Sequence, residues 1–127
     1  MSVPGGLRLN SVVLNSPDPV ALANFYARLL GWPYRADPDP EWVMLDNPAG
    51  GIRMSFQKES IYVRPVWPAA PGEQQMMQHL DIFVDDMDAA CAHAAACGAT
   101  LDPFQPQDDV RVHRDPDGHV FCLFTEE

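Results

Sequence analysis

The sequence is poor in cysteine and contains no long hydrophobic run. Its three cysteines, Cys91, Cys97 and Cys122, are too few and too scattered for a disulfide framework, and no Cys-x-x-Cys pair indicates structural zinc or redox chemistry. No stretch approaches the roughly 20 uncharged apolar residues of a membrane span. The segment Met1–Gly6 lacks the basic region and the apolar core of a signal peptide. We therefore expect reduced thiols, no membrane association and a cytoplasmic location.

Basic residues are also scarce. Eight Lys and Arg stand against 18 Asp and Glu, and the resulting net charge of −10 repels phosphate backbones. Nucleic acid is therefore not an expected partner. With 127 residues, 46% of them hydrophobic, the chain is long enough for one core and too short for two conventional domains. We expect a single domain over residues 1–127.

The first half of the chain predicts a strand, a helix and three further strands. The aliphatic run 7–14 predicts a strand, and Asp18 and Pro19 then supply an N-cap and a first helical residue. Apolar residues recur at helical spacing from Pro19 to Leu30, and Gly31 ends the helix. Breakers such as Asp-Pro-Asp-Pro and Asn-Pro-Ala-Gly-Gly separate three short strands, predicted at 32–36, 41–45 and 52–57.

The second half repeats this order at a nearly constant offset. Asp18 lies 68 positions before Asp86, and Gly31 lies 67 positions before Gly98. The predicted elements are a helix at 87–97, capped by Asp85 or Asp86, and strands at 78–84, 99–102, 109–114 and 120–124. The sequence thus predicts an α+β fold of two tandem βαβββ modules, 7–57 and 77–125, joined by a proline-rich connector, 58–76. Two such modules are expected to form a curved mixed sheet around a cleft.

Three segments resemble the vicinal oxygen chelate superfamily, which includes glyoxalases, bleomycin-resistance proteins and dioxygenases. They are Asn24–Trp32, His79–Asp86 and Asp115–Leu123, and together with the doubled plan they extend the resemblance over almost the whole chain. The ending Gly-His-Val-Phe-Cys-Leu further resembles the glyoxalase-like branch. The resemblance implies this fold and a small-molecule site in the cleft between the modules.

The resemblance also implies where a metal ion would bind. Metal-using relatives take one ligand from the first strand and one from the last strand of each module, commonly His or Glu. The matching positions here are Ser11, Ser55, His79 and Cys122. A serine hydroxyl is a poor neutral donor, and a Cys–His pair needs Asp81 or water to approach a zinc site. We therefore predict no metal site and no cofactor, with His79 the one strong candidate ligand.

Strand alternation selects further candidate site residues in the second module. His79, Asp81 and Phe83 share the face opposite Leu80 and Ile82, so they are expected to face the cleft. A carboxylate two residues from an imidazole suits acid–base chemistry near neutral pH, which makes His79 and Asp81 the catalytic candidates. The alternative is a hydrogen-bonded histidine without a catalytic role.

Other residues are candidates for ligand contacts only. Cys122, Ser11 and Ser55 are expected to line the cleft, and Arg53 and Gln57 share the parity of Ser55. Arg53 would clamp an anionic group or, alternatively, form a salt bridge at the sheet edge.

Trp42 offers a stacking surface for a planar ligand or for a dimer interface. His113 alternates with Val112 on its strand, and the sequence leaves open which of the two faces the cleft.

These residues support three hypotheses. The first is metal-independent binding of an apolar or aromatic ligand in the cleft between the modules. The second is a glyoxalase-like lyase or isomerase that uses His79 and Asp81, with or without a divalent metal. The third is a dimeric interaction module without a ligand. A homodimer is expected by analogy with the resembling superfamily.

Overall fold

The computed structural model describes residues 4–33 and 39–125. The chain divides into two compact units, Met1–Ser60 and Ile61–Glu127, which we describe one at a time. Within the described residues, no helix combines the length and the apolar character needed to cross a bilayer.

The described residues of the first unit form one α-helix and a three-stranded sheet. Its elements, which follow a 3-10 turn at Pro4–Gly6, are β1 (Ser11–Ser16), α1 (Pro19–Leu30), β2 (Trp42–Leu45) and β3 (Arg53–Lys58). The strand order is β1-β3-β2, with β1 parallel and β2 antiparallel to the central β3.

Local chemistry fixes both ends of α1. The Asp18 carboxylate accepts a hydrogen bond from the Ala21 amide at 3.2 Å, and Gly31 ends the helix in the left-handed conformation with φ 70°. The buried stripe of the helix packs on the sheet, where the Tyr26 and Phe56 rings stack with centroids 5.7 Å apart. This side of the sheet is the core of the first unit.

In the second unit, residues 61–125 form one α-helix and a four-stranded sheet. Its elements are β4 (Leu80–Phe83), α2 (Met87–Cys97), β5 (Thr100–Leu101), β6 (Val110–Arg114) and β7 (Val120–Phe124). The strand order is β4-β7-β6-β5, with β4 parallel to β7 and the other neighbours antiparallel.

Both units therefore pair the first strand in parallel with the last, and the last strand in antiparallel with the one before it. The predicted α+β class is confirmed, and the second unit has the full βαβββ order.

Two predicted strands differ from the structure. Residues 7–10 lie outside β1, because its ladder partner β3 begins only at Arg53, opposite Ser11, and Leu7 and Leu9 are exposed. In the predicted strand 32–36, Trp32 and Pro33 are not in a strand, and 34–36 lie outside the described residues.

The proline-rich connector is anchored to the sheet of the second unit from Ile61 onward. The Arg114 guanidinium donates to the carbonyl oxygens of Pro65 at 3.1 Å and Trp67 at 2.7 Å, and it pairs with the Asp102 carboxylate at 3.0 Å. Trp67 and Met76 pack on the apolar cluster of Val112, Val120 and Cys122. The connector thus covers part of the sheet face that carries Val112, Val120 and Cys122.

The same segment also holds the turn between β6 and β7. The Tyr62 hydroxyl donates to the Asp117 carbonyl at 3.0 Å, and the Arg64 guanidinium donates to the Pro116 carbonyl at 2.8 Å. Inside the turn, the buried Asp115 carboxylate contacts the His119 ring at 2.8 Å. This turn sets where β7 begins.

Candidate functional site

The candidate site lies where β4 and β7 run side by side. Asp81 and Cys122 are register partners on these parallel strands, and His79 precedes Asp81 by two residues, just before β4 begins. The His79 Nε2 and Asp81 Oδ1 atoms are 3.2 Å apart. Strand alternation thus brings the imidazole and the carboxylate to one face, and the pairing of β4 with β7 adds a thiol from about 40 residues later in the chain.

A pocket of about 320 Å³ opens over these residues. Val110 and Phe124 supply its apolar surface, and Asp81 and Asp109 supply two carboxylates. The side chains of His79 and Asp81 are 41% and 61% exposed, so solvent reaches both polar groups. The full lining, which includes no Lys or Arg among the described residues, is His79, Asp81, Gln107, Asp109, Val110, Cys122, Phe124 and Thr125.

The Cys122 thiol is held in its neutral form. Burial raises its pKa to about 11, and the negative charge of Asp81 adds to the shift. Since the thiolate is the nucleophilic form, free Cys122 is a poor nucleophile at neutral pH. Its role in the pocket is therefore that of a small lining residue or a metal ligand.

The donor set at this site fits a metal ion better than the sequence alone indicated. One ligand atom from each of His79, Asp81 and Cys122 lies within 4.8 Å of the other two. Catalytic zinc sites use three protein ligands and keep one position open, where the metal acts as a Lewis acid. The strand register supplies Asp81 as the third donor, whereas the sequence alone offered either Asp81 or water for that position.

The first unit contains the other predicted ligand-contact residues. Arg53 pairs with Asp46 at 3.2 Å and donates to the Asn10 side chain at 2.9 Å, which corresponds to the alternative of a salt bridge, although its strand β3 is central in the sheet and not at the edge. Ser55 is 1% exposed, and its hydroxyl has no hydrogen-bond partner among the described residues. Trp42 is the register partner of Gln57 on the edge strand β2, and Ser11 opens β1 opposite Arg53.

None of these five residues lines the pocket of the second unit. A separate pocket in the first unit, of about 420 Å³, is lined by Gly6, Arg8, Leu9, Asn10 and Gly51. The ligand site between the modules, to which the five residues were assigned, stays a prediction.

The structure places His113 outside the pocket. Its ring is 2% exposed and stacks on Phe121, with centroids 5.3 Å apart, whereas Cys122 and Val112 point to the opposite face of the sheet. Burial lowers the pKa of His113, so the ring is a neutral core residue. The orientation that the sequence left open is decided by this stacking.

Phe83 lies beside the pocket. It is 50% exposed and meets Phe124 edge to face, with ring centroids 5.8 Å apart.

Sequence reasoning missed Phe124, Val110, Asp109, Gln107 and Thr125 as lining residues. Phe124 shares the parity of Cys122, so alternation along β7 was a usable signal for it. The other residues come from β6 and from the ends of the strands. The Thr125 amide donates to the Asp109 carbonyl at 3.3 Å, a contact that joins residues 16 positions apart and leaves no local sequence signal.

Comparison with known proteins identifies the family. The profile of the glyoxalase-like domain matches residues 11–124, nearly the whole chain. The chain belongs to the glyoxalase-like domain family. It is thereby placed in the vicinal oxygen chelate superfamily, as the three sequence segments indicated. No curated protein matches the chain significantly.

Solved structures similar to this glyoxalase-like domain share its fold at low sequence identity. A glyoxalase/bleomycin resistance protein/dioxygenase family enzyme from Burkholderia phytofirmans PsJN is 22% identical with a TM-score of 0.70, over 94% of this chain and 98% of that one. A glyoxalase-related enzyme from Fulvimarina pelagi is 18% identical with a TM-score of 0.66, over 94% and 88%. TnmS3, an antibiotic binding protein from Streptomyces sp. CB03234, is 20% identical with a TM-score of 0.64, over 100% and 99%.

Proposed function

We propose that this protein binds a small apolar or aromatic molecule and that this binding requires no metal ion. The observation that carries the proposal is the pocket in the second unit, where an apolar surface adjoins the polar groups of His79 and Asp81. Ligand sites combine apolar surface with a few placed polar groups that orient the ligand. Here five of the eight lining residues are polar, so the apolar contacts are confined to Val110, Cys122 and Phe124. The named activity of TnmS3, antibiotic binding on the same fold, supports this choice of function.

The ligand's apolar body is assigned to Val110 and Phe124. Phe83, half exposed beside Phe124, extends the aromatic surface at the edge of the pocket. Removing such surface from water contributes roughly 25 cal/mol per Å² of apolar area to the free energy of binding, and this contribution does not depend on a metal ion. The His79–Asp81 pair is assigned to hydrogen bonds that orient the ligand.

A binding assay with a neutral solvatochromic dye tests the proposal on metal-free protein. We expect saturable binding with a blue-shifted emission, since the dye leaves water for an apolar surface. Phe124→Ala should weaken binding at least about tenfold, which corresponds to about 1.4 kcal/mol. Ile61→Ala is the matched control, because Ile61 is 81% exposed and does not line the pocket. Absence of saturable binding, or equal affinity in both variants, would refute the proposal.

A second candidate function is a lyase or isomerase reaction with His79 and Asp81 as the acid–base pair. The contact of 3.2 Å between their side chains favours it, since a carboxylate at that distance orients an imidazole and stabilises its charged form. His79→Ala separates the two functions. A binder keeps most of its affinity for an apolar ligand in this variant, whereas an acid–base enzyme loses turnover.

Homodimer formation remains part of the proposal. Sedimentation velocity at micromolar concentration tests it directly, because a chain of 14.1 kDa and its dimer separate clearly.

A further inference from the structure

We propose that the organic ligand of the pocket in the second unit carries a protonated amine beside its apolar or aromatic body. The inference rests on the proposed function, because it uses the same pocket, and it adds the charge and the hydrogen-bonding class of the ligand. The observation behind it is the set of charged groups around the pocket. Asp81 and Asp109 line it, whereas no Lys or Arg among the described residues does.

The Asp109 carboxylate is the uncompensated charge of this pocket. Its side chain forms no ion pair and no hydrogen bond with the described part of the chain, and its backbone carbonyl accepts from the Thr125 amide at 3.3 Å. Asp81, by contrast, contacts His79 Nε2 at 3.2 Å. Asp109 is already half-buried, so a ligand that displaces its remaining water leaves the charge unbalanced unless the ligand supplies a cation.

Arg111 follows Val110 on β6 but does not line the pocket. Strand alternation turns Val110 to the pocket and Arg111 to the opposite face of the sheet, where its charge acts on Cys91 of α2. The Arg111 guanidinium donates to the carbonyl oxygens of Gln107 at 3.1 Å and Asp108 at 2.9 Å. This arginine therefore holds the loop before β6 and leaves the carboxylates of the pocket to a ligand.

The Cys122 thiol adds an acceptor without a partner. Its residue is 9% exposed, lines the same pocket and forms no hydrogen bond with the described residues. Ionised carboxylates accept hydrogen bonds and cannot donate them, and a thiol sulfur is a weak acceptor, so the pocket is rich in acceptors. A protonated amine offers N–H donors and positive charge at one atom. Such charge-assisted hydrogen bonds are roughly twice as strong as neutral ones, whereas an anionic group would be repelled.

The strand register places both carboxylates next to the aromatic surface. Val110 lies opposite Phe124 in the pairing of β6 with β7, and Asp109 directly precedes Val110. Asp81 lies opposite Cys122, two residues before Phe124 on β7. A ligand ring packed on Phe124 therefore has a carboxylate on either side. The ligand nitrogen is assigned to Asp109, whose side chain has no partner among the described residues, and Asp81 adds to the negative potential.

Three dansyl probes with the same apolar body test the inference. Dansylcadaverine carries a protonated amine tail, its N-acetyl derivative is neutral, and its N-succinyl derivative is anionic. Each probe is titrated into the intact chain with EDTA present at about pH 8, where alkylamines are protonated. We expect the cationic probe to bind at least about tenfold more tightly than the neutral one, and the anionic probe to bind more weakly than the neutral one. Salt at about 0.5 M should reduce this preference several-fold, because it screens the charges.

The variants are compared by the ratio of affinities for the cationic and the neutral probe, so that a general change in binding cancels. Asp109→Asn should lower this ratio at least about fivefold, and Asp81→Asn should lower it by a smaller factor. Asp88→Asn on α2 is the matched control. It removes the same charge from an exposed residue that does not line the pocket, and it should keep the ratio near the wild-type value.

Equal affinity of the wild type for the cationic and the neutral probe would overturn the inference. A ratio in Asp109→Asn as high as that in Asp88→Asn would overturn it too. Saturable binding of the neutral probe would in either case leave the proposed function standing. Absence of saturable binding by all three probes would refute the proposed function together with the inference.

Discussion

Asp81 and Cys122 face each other across the parallel pair β4 and β7, and this pairing puts a carboxylate next to a buried thiol. Burial and that negative charge both disfavour the thiolate, which raises the pKa of Cys122 to about 11. Without a metal ion, the cysteine of this pocket is therefore an unreactive group.

Asp81→Asn should make Cys122 more reactive. Removing the neighbouring charge lowers the pKa of the thiol toward its burial-limited value, so alkylation of metal-free protein at about pH 9 should accelerate several-fold. The rate is measured by mass spectrometry with iodoacetamide in a background lacking Cys91 and Cys97. Asp109→Asn is the control, because Asp109 lines the pocket but does not contribute to the shift. An unchanged rate in Asp81→Asn would contradict this account.

The buried ring of His113 should make the protein less stable in mild acid. Its folded pKa lies below the ordinary value of 6.5, so below about pH 6.5 the unfolded chain binds a proton that the folded chain does not. The contribution of the neutral His113 ring to the free energy of unfolding is complete above that pH and is lost as the pH falls toward the folded pKa. Urea unfolding between pH 7.5 and about 5 should show a smaller decrease in His113→Phe than in the wild type. The exposed His93→Gln is the control, and equal slopes in His113→Phe and wild type would refute the assignment.

Arg114 should be a major determinant of the stability of the second unit. Arg114→Ala removes the hydrogen bonds to the Pro65 and Trp67 carbonyls and leaves the buried Asp102 carboxylate without its cation. Breaking a buried pair of this kind costs about 3 kcal/mol in the free energy of unfolding. Chemical denaturation and limited proteolysis within 61–76 measure the loss. Arg8→Ala, at an exposed arginine, should change stability by less than about 0.5 kcal/mol.

Gly118 should tolerate substitution less well than Gly31. Both residues have positive φ, at 90° and 70°, but a Cβ at Gly118 would lie 2.9 Å from Arg64 Cζ, whereas no atom of the described residues lies within 4 Å at Gly31. Gly31→Ala should lower the free energy of unfolding by about 1 kcal/mol because of its backbone conformation alone. Gly118→Ala should lower it by about 1 kcal/mol more. Thermal unfolding compares the two variants. In a double-mutant cycle, Arg64→Ala should reduce the penalty of Gly118→Ala, and strict additivity would show that no crowding exists.

Ser55→Ala should leave stability unchanged or raise it. The Ser55 hydroxyl is buried between Val13 and Met44 in the register of the sheet and has no partner among the described residues, so its removal relieves a desolvation cost of about 1 kcal/mol. Ser16→Ala is the contrasting variant, because the Ser16 hydroxyl accepts a hydrogen bond from the Asp18 amide at 2.9 Å. Ser16→Ala should lower the free energy of unfolding by about 1 kcal/mol. Destabilisation of Ser55→Ala comparable to that of Ser16→Ala in urea would contradict the prediction.

Much of the fold was predictable because its signals are local. Asp18 and the left-handed glycines Gly31 and Gly98 delimit the helices at the residues that the sequence indicated, and the structure selects Asp86 from the two candidate caps Asp85 and Asp86 of the second helix. The constant offset between the modules predicted a repeated strand order, and each unit pairs its first and last strands in parallel. Strand ends were less predictable, because a strand such as β1 extends only as far as its partner β3 does.

The candidate site was predictable only in part. Alternation along β4 was enough to group His79 with Asp81, since a strand turns every second side chain to one face. Their meeting with Cys122 depends on the register of β4 against β7, about 40 residues later in the chain. Strand alternation alone could not decide on which face of the sheet the His113 side chain lies. The stacking of its ring on Phe121 fixes that face.

The features that the sequence determined and those that only the tertiary structure decided differ in the range of the interactions that produce them. Helix caps, turn glycines and two-residue alternation act within a few residues, so the amino-acid sequence alone determined the elements, their repeat and the family resemblance. The third donor at the pocket, the acidic lining from Asp109 and the anchoring of the connector by Arg114 join residues distant in sequence. Only the packed sheet decided these features, because the register of its hydrogen-bonded ladders and the burial of its faces are set by the whole unit at once.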